Sequence, residues 1–297
     1  MEYIIETKEL VKQFPGKLAV DHISMHIKKG DIYGFIGKNG AGKTTTMKLI
    51  LGLLEPTEGS ISLYGDNKLD QHRIKIGSLI EAPGLYKNCT AFEIMKRFSI
   101  LYGGTDEDIK ELLDIVGLGK AKKRKAGAYS LGMKQRLGIA IALLGNPEIL
   151  ILDEPINGLD PAGIKDIRDI IIKLNKERGV TFLISSHILD ELSKVATRYG
   201  IVHDGRLVEE IDADVLMEKC RSNLKIGVDN VEKATKILKD AGLLDKYDTN
   251  EDSITMFNNF DDSARVNELL VKGGVKVNSL SPSSSGFEEF FIERIGR

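Results

Sequence analysis

The most constraining feature of this sequence is a glycine-rich stretch that follows an apolar run. Residues 37–44 read Gly-Lys-Asn-Gly-Ala-Gly-Lys-Thr, which fits the G-x-x-x-x-G-K-[ST] pattern of a phosphate-binding loop. Residues 31–36 predict a buried strand before the loop, and residues 44–51 predict a helix after it. Strand, loop and helix in this order predict an α/β fold in which backbone N–H groups surround a phosphate.

The residue types within this loop suit nucleotide chemistry. Gly37, Gly40 and Gly42 allow backbone conformations that a Cβ would hinder. Lys43 supplies a compact positive charge for the phosphates, and the hydroxyl of Thr44 is a ligand for Mg²⁺. The alternative is a glycine-rich turn that only connects a strand to a helix, but the complete match to the pattern favours a phosphate site.

Two carboxylates follow a second apolar run. Residues 149–155 read Ile-Leu-Ile-Leu-Asp-Glu-Pro, and the aliphatic part is typical of a central parallel strand buried on both faces. Such a strand would carry Asp153 and Glu154 to the carboxyl edge of the sheet, where ligands bind in open α/β folds. Asp153 would hold Mg²⁺ through water, and Glu154 would polarise the water that attacks the γ-phosphate. An Asp-Glu pair alone is more often a capped helix start, so the upstream loop carries this interpretation.

Further segments resemble the motifs of one ATPase family. Residues 129–136 read Tyr-Ser-Leu-Gly-Met-Lys-Gln-Arg and are similar to the signature sequence of ABC-transporter ATPases. Residues 157–160 resemble the D-loop of that family, and His187 occupies the position of its switch histidine. Phe14 precedes the glycine loop, where the family has an aromatic residue that stacks on adenine. On these motifs, residues 3–212 are identified as a member of the ABC ATPases.

The resemblance implies a role for each of these positions. Ser130 and the N–H of Gly132 would face a γ-phosphate at a helix N-terminus, and in this family they complete the ATP site of the other subunit. Because the chain has one phosphate loop and one signature, it needs a second copy or a related ATPase subunit. His187 would contact the γ-phosphate and orient the water, although a single His after a strand is usually structural. Phe14 has a similar alternative, since an aromatic residue in an amphipathic strand is more often part of the core.

One position departs from the usual family pattern and indicates a subgroup within the family. Glu81 ends the strand after the phosphate-loop helix, where most members have Gln. Together with Leu131, which replaces the first glycine of the usual signature, this departure resembles the ATPases of bacitracin-resistance and lantibiotic-immunity exporters. Those ATPases pair with separate membrane subunits and remove peptides that act on the cell envelope. An exporter of another lipid-like or drug substrate is the alternative.

The expected cofactors are ATP and Mg²⁺. The expected catalytic residues are Glu154 and His187, and the expected metal ligands are Thr44, Glu81 and Asp153. The expected ATP contacts come from the aromatic position, the phosphate loop, the signature and the D-loop: Phe14, Gly37, Lys38, Asn39, Gly40, Ala41, Gly42, Lys43, Thr44, Thr45, Ser130, Gly132 and Asp160.

A length of 297 residues exceeds one compact core and predicts two domains. Residues 1–218 would form the ATPase, with a parallel core sheet and an antiparallel β subdomain that includes short strands within residues 3–29. A helical subdomain would be inserted at about residues 82–145. Residues 219–297 predict a small α/β domain of order β-α-β-α-β, similar to a ferredoxin-like sandwich. Its role is open, with dimer support and regulation as the candidates.

Composition adds limits on location and partners. The chain is 42% hydrophobic and 29% charged, as in soluble globular proteins, and no apolar stretch approaches the roughly 20 residues of a membrane-spanning helix. We therefore expect a cytoplasmic protein held at the inner face of the membrane by a separately encoded permease. The two cysteines, Cys89 and Cys220, fit a reducing compartment. The net charge is −2 and the sequence shows no basic stripe with interleaved aromatic residues, so we do not expect a nucleic-acid partner.

These observations predict an ATPase subunit that powers export through ATP-driven dimerisation of two nucleotide-binding domains. The alternative is an ABC ATPase without a membrane partner, which acts as a mechanical switch on nucleic acid or ribosomes. Members of that class usually carry two cassettes in one chain, long coiled coils or zinc motifs, and this sequence has none of these.

Overall fold

A computed structural model describes residues 3–121, 124–219, 223–257, 263–283 and 287–295. The chain divides into two units, Met1–Ala213 and Asp214–Arg297. The described strands form two sheets in the first unit and one in the second, and each unit has its own apolar core. Cys220 lies outside the described residues. Within the described ranges, no helix combines the length and the apolar character that a membrane crossing requires.

The elements of the first unit alternate between strands and helices. Its strands are β1 (Tyr3–Phe14), β2 (Lys17–Lys28), β3 (Ile32–Ile36), β4 (Glu58–Leu63), β5 (Ile76–Leu79), β6 (Ile149–Asp153), β7 (Thr181–Ser186), β8 (Arg198–His203) and β9 (Arg206–Asp212). Its helices are α1 (Lys43–Ile50), α2 (Leu69–Arg73), α3 (Ala91–Tyr102), α4 (Asp106–Ile115), α5 (Leu131–Ala142), α6 (Pro161–Arg178) and α7 (Leu189–Leu192). Helix α8 (Ala213–Lys219) contains the division between the two units, and the domain boundary predicted after residue 218 lies within the same helix.

The main sheet of this unit has the strand order β5-β6-β7-β3-β8-β9. Neighbouring strands from β5 to β8 run parallel, and β9 pairs antiparallel with β8. Every residue of β3, β6 and β7 is buried, as expected of parallel strands covered on both faces. Because β6, β7 and β3 are neighbours and run parallel, their carboxyl ends lie side by side at one edge of the sheet.

A second sheet, of order β2-β1-β4, is antiparallel throughout. The sequence pattern predicts short strands in residues 3–29, but β1 and β2 are long and pair along most of their length. Register shifts in this pairing, with positive φ at Glu9 and His22, are irregularities of the kind that β-bulges produce. They interrupt the apolar alternation without ending the strands, which explains why the sequence pattern predicts short strands where the structure has long ones.

Helices α3, α4 and α5 occupy the insertion predicted at about residues 82–145. Thr90 and Thr105 cap α3 and α4, and each forms a reciprocal capping box with the acidic residue three positions later. Each of these two helices buries apolar residues along one face, among them Ile94 and Ile109, whereas Ile100 and Leu101 at the end of α3 are exposed. The helical insertion is therefore encoded by local signals.

The second unit has the order β-α-β-β-α-β followed by a helix. Its elements are β10 (Asn223–Val228), α9 (Val231–Asp240), β11 (Tyr247–Thr249), β12 (Ser253–Met256), α10 (Ser263–Lys272), β13 (Val277–Ser283) and α11 (Phe287–Ile295). The strands form an antiparallel sheet of order β11-β12-β10-β13, and the element order is the ferredoxin-like one. The predicted order lacks β11, because that strand is short and shows no apolar alternation.

Candidate functional site

The glycine loop runs from the end of β3 into α1, at the carboxyl edge of the main sheet. Helix α1 begins at Lys43, and Gly42 before it has a φ of 102°, which L side chains rarely adopt. A Cβ on Gly42 would lie 2.4 Å from the carbonyl oxygen of Ala19, and one on Gly37 would lie 2.5 Å from that of Val202. Packing therefore requires glycine at both positions.

The side chain of Lys43 is folded back over the loop. Its Nζ donates to the carbonyl oxygens of Gly37 at 2.6 Å and Lys38 at 3.3 Å. The same nitrogen lies 3.3 Å from Oε1 of Glu154. Lys43 is 5% exposed, and a buried ammonium needs such partners because burial removes its hydration. Lys43 thus connects the phosphate loop to the acidic residue after β6.

Asp153 is held by hydroxyl groups on both of its carboxylate oxygens. Oγ1 of Thr44 donates to Oδ2 at 2.7 Å, and Oγ of Ser185 donates to Oδ1 at 2.6 Å. Ser185 pairs with Asp153 in the β6–β7 register and also accepts the N–H of Glu154 at 2.8 Å. The sequence reasoning missed Ser185. A hydroxyl residue at the carboxyl end of a buried strand just before His187 was the available signal.

Glu154 and His187 come together after β6 and β7. Nδ1 of His187 lies 2.7 Å from Oε2 of Glu154, and Glu154 turns out of the strand with a φ of 48°. The other oxygen, Oε1, is buried, lies 3.3 Å from Nζ of Lys43 and makes no hydrogen bond within the described residues. This carboxylate oxygen is therefore free to accept a hydrogen bond from a molecule in the site.

Lys43, Thr44 and Glu154 border a cavity of about 170 Å³, whose described lining includes neither Asp153 nor His187. The cavity is lined by Lys17, Ala19, Asn39, Gly40, Ala41, Gly42, Lys43, Thr44, Thr45 and Glu154. Lys17 and Ala19 lie on β2 and were not predicted, although they follow the expected aromatic position closely along the chain. The described lining does not include Phe14, which is 37% exposed and has Nζ of Lys12 at 5.3 Å from its ring centroid. Stacking of Phe14 on adenine stays a prediction.

The signature and the D-loop lie next to each other on the surface of the first unit. Ser130 is exposed and caps α5, because its Oγ accepts the N–H of Met133 at 3.3 Å. Asp160 caps α6 in the same way and accepts the N–H of Gly163 at 2.9 Å. A Cβ on Gly132 would lie 3.8 Å from Cα of Gly163. Ser130, Gly132 and Asp160 stand outside the lining of the phosphate-loop cavity.

Glu81, one of the three expected metal ligands, contacts neither of the other two in the described hydrogen bonds and pairs with a lysine. Its Oε1 accepts a hydrogen bond of 2.7 Å from Nζ of Lys48, and its φ is 64°. This bond and the charge of Lys48 lower the pKa of Glu81. Lys48 lies one helical turn after Thr44 on α1, and the hydrogen bond described for the Glu81 side chain goes to Lys48, not to Thr44 or Asp153. A metal contact by Glu81 stays a prediction.

The residues present fit both expected cofactors. Mg²⁺ prefers oxygen ligands and is usually held by one or two carboxylates together with substrate phosphates and water. Thr44 and Asp153 supply oxygens that already lie 2.7 Å apart, and Glu154 adds Oε1, which makes no hydrogen bond within the described residues. The N-terminus of α1 and the ammonium of Lys43 suit an anionic phosphate group.

Sequence comparison places these features in one family. Residues 20–157 match the family model described as ABC transporter. The bacitracin transport ATP-binding protein BcrA of Bacillus licheniformis is 42% identical over 301 residues, which covers 100% of this chain and 98% of that protein. The lantibiotic transport ATP-binding protein SrtF of Streptococcus pyogenes is 44% identical over 211 residues, which covers 71% of this chain and 92% of that protein.

Solved structures agree with the sequence comparison. A part of an ABC transporter complex from Clostridium perfringens is 27% identical with a TM-score of 0.66, and the match covers 74% of this chain and 92% of that one. An ATP-binding cassette in a dimeric post-hydrolysis state, bound to ADP and phosphate, is 26% identical with a TM-score of 0.62, over 70% of this chain and 98% of that one. The predicted cassette fold and ATPase class are confirmed, and a mechanical switch on nucleic acid is not favoured. This chain belongs to the ATP-binding proteins of ABC transporters.

Proposed function

We propose that this ABC ATPase powers the export of peptide antibiotics through a separately encoded membrane permease. The observation that carries the proposal is the identity of 42% with a bacitracin transport ATP-binding protein, which extends over the whole chain. A similarity of that extent includes the second unit as well as the cassette. The lantibiotic transport relative supports the same substrate class.

The site chemistry supports hydrolysis of ATP at the carboxyl edge of the main sheet. Loop N–H groups and Lys43 would bind the phosphates, and Thr44 and Asp153 would hold Mg²⁺. When bound, Mg²⁺ would offset negative charge on the phosphates. Oε1 of Glu154 would accept a hydrogen bond from the attacking water. Nδ1 of His187 lies 2.7 Å from the other oxygen of that carboxylate, and His187 would keep the carboxylate oriented toward the water.

We also propose that two ATPase subunits act together. Ser130 and Gly132 are displayed at the N-terminus of α5, outside the lining of the chain's own phosphate-loop cavity. That placement supports a role for them at the ATP site of a second subunit. Closure around ATP and opening after hydrolysis would then drive the permease, and the complex would lie at the inner face of the cell membrane.

Expression in a sensitive bacterium tests this function. The chain is produced together with the membrane protein encoded beside it, and growth inhibition by bacitracin and by a lantibiotic is measured. We expect the wild type to raise resistance and Glu154→Gln to give none, with the membrane protein co-purifying from detergent. An active, permease-bound ATPase without resistance to either peptide would contradict the substrate class. Co-purification with ribosomes in place of a membrane protein would support the mechanical switch.

A further inference from the structure

The turn between β8 and β9 lies directly against the phosphate loop. The N–H of Gly205 donates to the carbonyl oxygen of Ala41 at 3.1 Å, and the carbonyl oxygen of Gly205 accepts the N–H of Asp21 at 2.8 Å. Gly205 has a φ of 81°, and a Cβ there would lie 3.2 Å from the carbonyl oxygen of Ala19. A single turn residue therefore connects the phosphate loop to β2.

Strand β2 forms one wall of the phosphate-loop cavity. It contributes Lys17 and Ala19 to the lining. The carbonyl oxygen of Ala19 occupies the space that a Cβ on Gly42 would need. The phosphate loop, the Gly205 turn and β2 are thus in mutual contact, and the position of the loop depends on both neighbours.

Asp21 secures this arrangement from β2. It is 7% exposed, and its Oδ2 accepts a hydrogen bond of 2.5 Å from Nε of Arg206, the residue after Gly205. Its Oδ1 lies 2.6 Å from Nδ1 of His22. Asp21 therefore holds the turn at two points, through the Gly205 carbonyl group and through the guanidinium of Arg206. Hydrogen bonds between charged groups are about twice as strong as neutral ones.

We propose that Asp21 and Arg206 are positioning residues for nucleotide binding, and that their pair holds the Gly205 turn against Ala41 and so orients the phosphate-loop N–H groups. Both residues lie outside the cavity lining and act through Gly205 and Ala41. A loop ordered in advance binds more tightly, because the nucleotide does not have to supply the free energy of ordering. The pair therefore controls affinity for ATP more than turnover at saturating ATP, an effect that rests on the proposed ATP site.

The test uses the full-length chain and a fluorescent ATP analogue with Mg²⁺. We expect Arg206→Ala and Asp21→Ala to raise the Kd about 3- to 10-fold, with kcat at saturating ATP changed less than about twofold. Arg206→Lys, which keeps a positive charge, should recover most of the affinity. The double variant should bind no more weakly than the weaker single variant, since both changes break one contact. Arg178→Ala is the control, because Arg178 pairs with Glu111.

The possible outcomes separate this inference from the ATP site itself. Arg206 is 72% exposed at its side chain, so Arg206→Ala tests the pair even if Asp21→Ala unfolds the protein. Wild-type Kd in Arg206→Ala, together with lost binding in Lys43→Ala, would overturn the positioning role and keep the ATP site. A fall in kcat at unchanged Kd would also overturn it. Failure of the wild type to bind the analogue would remove the ATP site and the positioning role together.

Discussion

The ammonium nitrogen of Lys43 lies 3.3 Å from Oε1 of Glu154, an ion pair that joins the first residue of α1 to the residue after β6. Oε2 of the same carboxylate lies 2.7 Å from Nδ1 of His187. One carboxylate thus contacts both the phosphate-loop lysine and the histidine that follows β7. Substitutions at Lys43 and Glu154 should therefore separate nucleotide binding from hydrolysis.

Glu154→Gln keeps the size of the side chain and removes the charge that would polarise the attacking water. We expect this variant to bind Mg·ATP and to hydrolyse it about 100-fold more slowly or worse. It should accumulate an ATP-bound dimer, because opening follows hydrolysis. Phosphate release and size-exclusion chromatography in ATP measure the two effects. Lys43→Ala, the contrasting variant, should lose nucleotide affinity, and near-normal hydrolysis by Glu154→Gln would exclude Glu154 as the water-activating group.

Ser130→Arg places bulk and positive charge at the exposed start of α5. If Ser130 completes the site of a second subunit, ATP binding by the monomer should survive while dimerisation and hydrolysis fail together. Ser130 also caps α5 through Met133, and loss of a cap costs about 1 kcal/mol. Ser130→Thr keeps a capping hydroxyl and serves as the control. Equilibrium binding and sedimentation in ATP are the measurements, and loss of monomer binding would assign Ser130 to its own phosphate loop or to the fold.

Glu81→Ala removes a carboxylate that accepts a hydrogen bond from Lys48 on the phosphate-loop helix. We expect Glu81 to move between Lys48 and bound Mg²⁺ and to pass this movement through the Pro83–Gly84 turn to the helical insertion. The variant should keep ATP binding and some basal hydrolysis but lose export. Antibiotic resistance of cells and ATPase activity of the purified complex are compared. Glu107→Ala, at an exposed carboxylate of α4, is the control, and full export by Glu81→Ala would make Glu81 a passive strand-end residue.

The stability of the fold should depend on pH through His22. The hydrogen bond with Asp21 raises the pKa of His22 above 6.5. A raised folded-state pKa stabilises the fold below the unfolded-state value, and that stabilisation disappears as pH rises through the folded-state value. His22→Gln should therefore lower the melting temperature more at about pH 5.5 than at about pH 9. Thermal unfolding across this range measures the effect, and an equal difference at both pH values would contradict it.

Much of the fold could be predicted because its signals are local. The strand expected at residues 31–36 and the helix expected at residues 44–51 agree to within one residue at each end with β3 (Ile32–Ile36) and α1 (Lys43–Ile50), since a buried apolar run and the glycine-loop motif encode them directly. Strand β11 was missed because it is short and polar, and it is a strand only through its pairing with β12. Ser185 was missed because a hydroxyl residue at the end of a buried strand is a weak signal until the pairing of β7 with β6 places it beside Asp153.

The family and the candidate groups for an ATP site could be identified from short motifs, because each motif is a contiguous run whose residue types suit phosphate, metal or water. Which of these side chains meet depends on the fold. Thr44 reaches Asp153, Asp21 reaches Arg206, and Glu81 reaches Lys48. These residues are far apart along the chain, and their contacts depend on strand order and on the turns between strands. Local periodicity carries no information about either, so the pairings that tune the site follow from the folded sheet alone.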